Sequence, residues 1–102
     1  MRIPKQINVL GKKWLIKYKW NLSDEEIKCD GLCCYRSRTI FIDRSLPKVD
    51  RPQTFLHELL HAIIYEAKLH NADSFTVEVE EIMVETISSY IMDKFSMRLK
   101  RK

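Results

Sequence analysis

His57, Glu58 and His61 stand in the order H-E-x-x-H within His57-Glu58-Leu59-Leu60-His61. In a helix, residues four apart share one face about one turn from each other, so both imidazoles can reach a single ion. Neutral imidazole suits Zn²⁺, which takes N, S or O donors in a roughly tetrahedral shell. Glu58 follows His57 by about 100° around the helix axis. It flanks the metal without pointing straight at it, where a general base for a metal-bound water would stand. The motif alone is a weak signal, because two histidines can border a helix core beside a solvated glutamate. Its weight depends on the surrounding elements.

The spacing has meaning only if the segment is helical. Asp50-Arg51-Pro52-Gln53 reads as a helix start. Asp50 can cap, Pro52 is tolerated in the first turn, and Gln53 completes a capping box. The helix is predicted to run to about Leu69, with Leu56, Leu59, Leu60, Ile63, Ile64 and Ala67 as its apolar arc. His57 and His61 fall at the edge of that arc, so a core would hold them. His70-Asn71-Ala72-Asp73-Ser74 is a break, and Asp73 or Ser74 caps a second helix reaching about Met97. Its predicted apolar arc is Met83, Val84, Ile87, Ile91 and Phe95. Glu81 and Glu85 lie four apart on one face, flanked by Val84, Ser88, Met92 and Phe95. Carboxylates among such neighbours are costly to bury unless a positive charge meets them. A zinc ion on the partner helix would meet them, and a water-exposed edge would also accommodate them. Glu78 and Glu80 read as solvated.

The N-terminal half reads as strands. Ile7 to Leu10 is short and apolar, and Gly11-Lys12-Lys13 reads as a turn. Trp14, Ile16, Tyr18 and Trp20 then alternate with polar residues, the period of a strand with one buried face. Together they predict a hairpin. Asn21 to Asp30 is a polar connection, with a helical turn expected at Ser23-Asp24-Glu25-Glu26. Leu32–Tyr35 and Thr39–Ile42 are two more strands around a tight Arg36-Ser37-Arg38 turn, and Asp43 to Val49 is loop. Read as an edge strand, Thr39, Ile40, Phe41 and Ile42 are candidates for binding substrate by strand addition. Tyr65, one turn past His61, could face an oxyanion, though packing is the commoner role.

Composition sets the class. The chain has 102 residues, 45% hydrophobic and 31% charged, the balance of one small globular domain over residues 1–102. No apolar run approaches a membrane span, and Met1-Arg2-Ile3-Pro4-Lys5-Gln6 precedes no signal-type apolar core, so a cytoplasmic protein is expected. Cys29, Cys33 and Cys34 are odd in number and form no C-x-x-C, which favours reduced apolar fillers over a second zinc site. The net charge is +4. Arg98-Leu99-Lys100-Arg101-Lys102 reads as a solvated helix end whose cations suit the helix dipole, with no basic stripe to suggest nucleic acid.

His57-Glu58-Leu59-Leu60-His61, nineteen residues, then Glu81-Ile82-Met83-Val84-Glu85 resembles the gluzincin pattern of zinc peptidases. The resemblance implies that Glu81 is the third zinc ligand. It further implies that Glu85 orients a zinc-bound histidine by taking its other N–H. The metzincin pattern would need a histidine at position 67, which is Ala67. Thr39-Ile40-Phe41-Ile42-Asp43, a polar loop and Thr54 to Ala62 also resemble small phage and prophage metallopeptidases and the ImmA/IrrE-type domain, over most of residues 29–95. The Ala-Asn pair usual near the glutamate of that domain is missing here.

The expectation is a minimal zincin of the α+β class, with a small mostly antiparallel sheet packed on the H-E-x-x-H helix and a second, glutamate-bearing helix. It would bind Zn²⁺ through His57, His61 and Glu81 and hydrolyse peptide bonds of a protein or peptide substrate with Glu58 as base. A non-catalytic zinc-binding interaction module and a basic nucleic-acid accessory domain are the alternatives. The residues fix neither substrate nor oligomeric state.

Overall fold

The structure is a computed structural model describing the backbone of residues 2–100 and the side chains of residues 2–94. It is α+β: six strands in the first half, two helices in the second. The strands are β1 (Gln6–Val9), β2 (Lys12–Lys19), β3 (Ser23–Asp24), β4 (Ile27–Lys28), β5 (Gly31–Cys34) and β6 (Thr39–Asp43). The helices are α1 (Arg51–Glu66) and α2 (Val77–Lys100), separated by a 3₁₀ turn at Leu69–Asn71. No helix among the described residues is long and apolar enough to cross a membrane.

The main sheet runs β1-β2-β6-β5. Its outer pairs are antiparallel, while β2 and β6 run parallel, with Ile16 opposite Ile40 and Tyr18 opposite Ile42. Alternation puts Trp14, Ile16, Ile40 and Ile42 on one face, where they form the core with Val9, Phe55 and Ala62. Trp20 breaks the predicted row: it lies past the end of β2 and is 64% exposed. The β1–β2 turn falls at Leu10 and Gly11, both at positive φ, and Lys12 and Lys13, expected in the turn, already belong to β2. That is the twist a two-residue hairpin requires, and Asn8 Oδ1 accepts a hydrogen bond from the Gly11 N–H at 2.8 Å.

The expected helical turn at Ser23 to Glu26 is instead a miniature hairpin of β3 and β4. Glu25 and Glu26 form its turn, both at positive φ. Nothing in their residue type announces that conformation, which Gly or Asn normally supplies.

Helix α1 starts where expected, with Pro52 in its first turn, but the capping box is not formed. Asp50 has helical φ and ψ and makes no side-chain cap bond, whereas a capping side chain needs the extended conformation. The helix ends at Glu66, three residues early, because Lys68 turns left-handed. Its C-terminal end is tied to the sheet: Glu66 Oε2 accepts from Trp14 Nε1 at 2.8 Å and from Arg38 Nε at 2.6 Å. Arg38 lies in the turn joining β5 to β6, so one carboxylate fixes the helix to two parts of the sheet. These bonds, with burial contributing against them, hold the Glu66 carboxyl below the usual carboxylate range.

The cap of α2 is neither Asp73 nor Ser74 but Thr76, whose Oγ1 accepts the Val79 N–H at 3.2 Å. The face that α2 turns inward also differs from the predicted arc. Val84 and Ser88 are fully buried, while Met83, Ile87 and Ile91 stay substantially exposed. The Phe95 side chain and the basic run Arg98 to Lys102 lie outside the described side chains.

Candidate metal centre

Helix α1 presents His57, Glu58 and His61 toward α2 and β5. His61 and Glu58 are buried and His57 is half-buried. The H-E-x-x-H segment is therefore seated in the core edge rather than lying free on a surface helix. Opposite it, α2 contributes three glutamates. Glu81 Oε1 lies 3.4 Å from His61 Nε2, and Glu81 Oε2 lies 3.8 Å from His57 Nε2. One nitrogen from each histidine and one Glu81 oxygen all fall within 4.8 Å of one another, so this trio could hold a metal ion. Separations of that size can close onto an ion, because metal–donor bonds of about 2.0–2.2 Å leave ligand atoms a little over 3 Å apart.

The other ring nitrogens are also engaged. Glu85 Oε2 lies 3.2 Å from His57 Nδ1. Glu80 Oε2 lies 2.5 Å from His61 Nδ1 in a hydrogen bond. With Nδ1 donating to a carboxylate, Nε2 is left with its lone pair free, the tautomer a metal needs. Both histidines thus have one nitrogen toward Glu81 and one toward a second glutamate. The structure brings together His57, His61, Glu81 and Glu85 and adds Glu80.

Glu80 is the correction here. Read as solvated, it has a side chain only 17% exposed. Glu80, Val84 and Ser88 form an i, i+4, i+8 row, and among the described residues Val84 and Ser88 are the ones α2 buries completely. Counting back one turn from that row finds Glu80. The predicted apolar arc pointed elsewhere because it followed the bulky residues and passed over the small serine.

Glu58 is 9% exposed. Burial raises its carboxyl to about 7; His61 pulls the other way and Glu81 adds to the rise. Gly31 on β5 permits the close approach behind it. A Cβ there would stand 2.9 Å from Glu58 Cγ and 2.7 Å from Thr54 Cγ2.

Thr39, Ile40, Phe41 and Ile42 do not form an edge. They lie in β6, paired to β2 on one side and β5 on the other, with Thr39, Ile40 and Ile42 buried. Their backbone groups already have ladder partners, so strand addition there is excluded. The strand that ends the sheet beside the centre is β5, Gly31–Cys34.

Two cavities meet at Glu58. One, of about 420 Å³, is lined by Asp30, Gly31, Asp50, Gln53, Thr54, His57, Glu58 and Glu85. The other, of about 540 Å³, includes Leu32, Cys33, Tyr35, His61, Tyr65, His70, Val77 and Glu81 in its wall. Tyr65 packs here as the residue pattern favoured, stacked on Tyr35 at 4.6 Å and on His70 at 5.5 Å. Cys29, Cys33 and Cys34 are all free. Burial and the Glu58 charge push the Cys33 thiol well above its usual range, which keeps it neutral.

Comparison with protein-family models, curated proteins and solved structures finds no match for this chain. The functional reading therefore stands on the centre itself.

Proposed function

We propose that the protein is a zinc-dependent metallopeptidase with a minimal gluzincin-like arrangement. The observation that carries the reading is the pairing of both histidines. Each has one ring nitrogen near Glu81 and the other against a separate carboxylate, Glu80 or Glu85. A helix edge that merely tolerates two histidines has no need of such opposed partners.

His57, His61 and Glu81 would hold the ion, and their two-nitrogen, one-carboxylate set fits Zn²⁺ and leaves a coordination position open. Zinc bound there would supply Lewis acidity toward the scissile carbonyl and lower the pKa of a water beside it. The chain's own residues do the rest. Glu80 and Glu85 orient the imidazoles. Glu58, on the same helix but off the ligand face, accepts the proton of the attacking water and returns it to the leaving amine. The free edge of β5 offers backbone donors and acceptors to an extended peptide running past Glu58.

The test is a comparison of the parent with Glu58→Gln on a broad peptide pool after loading with zinc, read by mass spectrometry. Glu58→Gln should bind zinc as the parent does and lose roughly 10²–10⁴ in rate. Equal cleavage by the two proteins would remove Glu58 as base.

A further inference from the structure

The two cavities that meet at Glu58 differ in chemistry, and they follow one another along both α1 and β5. Gly31, Thr54 and His57 line the first, while Leu32, Cys33 and His61 line the second. An extended peptide beside β5 would pass from one to the other across Glu58. We infer that these are two subsites selecting a peptide whose reactive bond lies between one basic and one large aromatic side chain. The inference rests on the peptidase reading and names its substrate class.

The case for the basic side chain starts with the first cavity's wall. Asp30, Asp50, Glu58 and Glu85 supply carboxylates, and no lysine or arginine among the described residues lines it. The neighbouring Arg51 does not neutralise Asp50. Its guanidinium donates to the carbonyls of Arg44 and Leu46 and lies over the Tyr18 ring. Glu58 is nine-tenths buried, lines both cavities, and makes no side-chain hydrogen bond or ion pair among the described residues. It is thus a buried acid without a hydrogen-bond partner in the cavity wall. An ion held by His57, His61 and Glu81 would compensate the carboxylates that face those residues and leave Asp30 and Asp50, which make no ion pair among the described residues, without a counter-charge. A guanidinium or ammonium meets those acceptors with charge-assisted hydrogen bonds.

The case for the aromatic side chain is the second cavity's wall. Tyr35 and Tyr65 stack with their planes 23° apart, and His70 continues the stack on Tyr65 at 8°. Trp14 packs edge-on against both tyrosines and holds them from behind. Leu32 and Val77 add apolar surface. Of the acids in this wall, Glu80 and Glu81 face His61, Glu58 is shared with the first cavity, and Asp24 is the one left over, against Asp30 and Asp50 in the first. The rings are anchored by the core, so the wall is set before a ligand arrives, and aromatic ligands gain from stacked or edge-to-face contact with such rings.

The experiment uses fluorescein-labelled peptides of one common frame whose central pair is Arg-Phe, Glu-Phe, Arg-Ser, Phe-Arg, Phe-Glu or Ser-Arg. Binding is read by fluorescence anisotropy on the zinc-loaded parent, with peptides whose central amide is reduced and so cannot be hydrolysed, and cleavage on the zinc-loaded parent with the ordinary peptides. One of the two Arg/Phe orders should bind best. Replacing its Arg by Glu should weaken binding roughly tenfold, and replacing Phe by Ser should weaken it roughly tenfold or more. Adding Asp30→Asn with Asp50→Asn should shrink the Arg-over-Glu preference and leave the Phe-over-Ser preference. Adding Val77→Asp, at an exposed position, should do the reverse. If all six peptides bind within twofold of one another, or the asparagine pair leaves the Arg-over-Glu ratio unchanged, the subsites are refuted. The parental ranking decides the matter even if a variant fails to fold. Cleavage without either preference would refute the subsites and leave the peptidase standing. The stated binding preferences without any cleavage would keep the subsites and overturn the peptidase.

Discussion

Gly31→Ala tests how closely β5 is fitted to helix α1. The added Cβ would meet Thr54 Cγ2 at 2.7 Å and Glu58 Cγ at 2.9 Å, with Glu58 Oε2 at 3.2 Å. Carbon atoms prefer about 3.5–4.0 Å, so two neighbours must each retreat by more than half an ångström. Neither does so freely. Thr54 is β-branched and half-buried in a helix, and Glu58 is held between that helix and the strand. Overpacking of this kind costs about 1–3 kcal/mol. The backbone opposes it only mildly, since Gly31 is not at positive φ and alanine restricts the unfolded chain, a gain of about 0.5–1 kcal/mol. The net loss should be about 1–2 kcal/mol, which lowers Tm by roughly 5–15 °C in a domain of this size. Thr54→Ser removes the nearer methyl. A double-mutant cycle by urea unfolding should therefore show Gly31→Ala and Thr54→Ser coupled favourably by about 0.5 kcal/mol or more. A Gly31→Ala protein that melts at or above the parent, or a coupling within about 0.3 kcal/mol of zero, would refute the close fit.

Other outcomes follow from the same geometry. Glu81→Ala and His57→Ala should each abolish stoichiometric zinc binding in equilibrium dialysis, and full occupancy in either variant would remove that residue from the ligand set. Glu80→Gln and Glu85→Gln, which weaken the partners of His61 and His57, should each lower zinc affinity by roughly 10–100-fold in chelator competition. An unchanged affinity for Glu80→Gln would return Glu80 to a structural role. Glu66 is held below the usual carboxylate range chiefly by Arg38, so it stabilises the fold at pH values above that range and its contribution fades as pH falls through its folded pKa. Glu66→Gln should therefore flatten the loss of urea stability toward acid pH, and an unaltered pH profile would contradict the linkage.

Much of this architecture is legible in the residues. Alternation at Trp14, Ile16 and Tyr18 marks β2, and the i, i+4 histidines sit on a helix whose apolar spacing is plain. The failures have separate physical causes. Alternation says which face of a strand is buried and nothing about its neighbours, so Thr39–Ile42 reads equally well as an edge or as the paired strand it is. Glu25 and Glu26 adopt positive φ without the glycine or asparagine that would signal it. Glu80 is hidden because α2 packs through a row containing Ser88, and helical periodicity weighted by bulky residues points to Met83 and Ile87 instead. Pairing order and packing face are decided by contacts distant in sequence, which no local window contains.

The most direct measurement of the central claim is X-ray absorption at the zinc edge on the loaded protein. The account predicts nitrogen and oxygen donors only, with two imidazoles at about 2.0–2.1 Å and light-atom donors completing the shell. Cys33 lines the adjoining cavity and is the residue able to argue otherwise. A sulfur scatterer at about 2.3 Å would show the shell closed by a protein thiolate, a structural zinc site with no place for water, and would contradict the proposed hydrolysis.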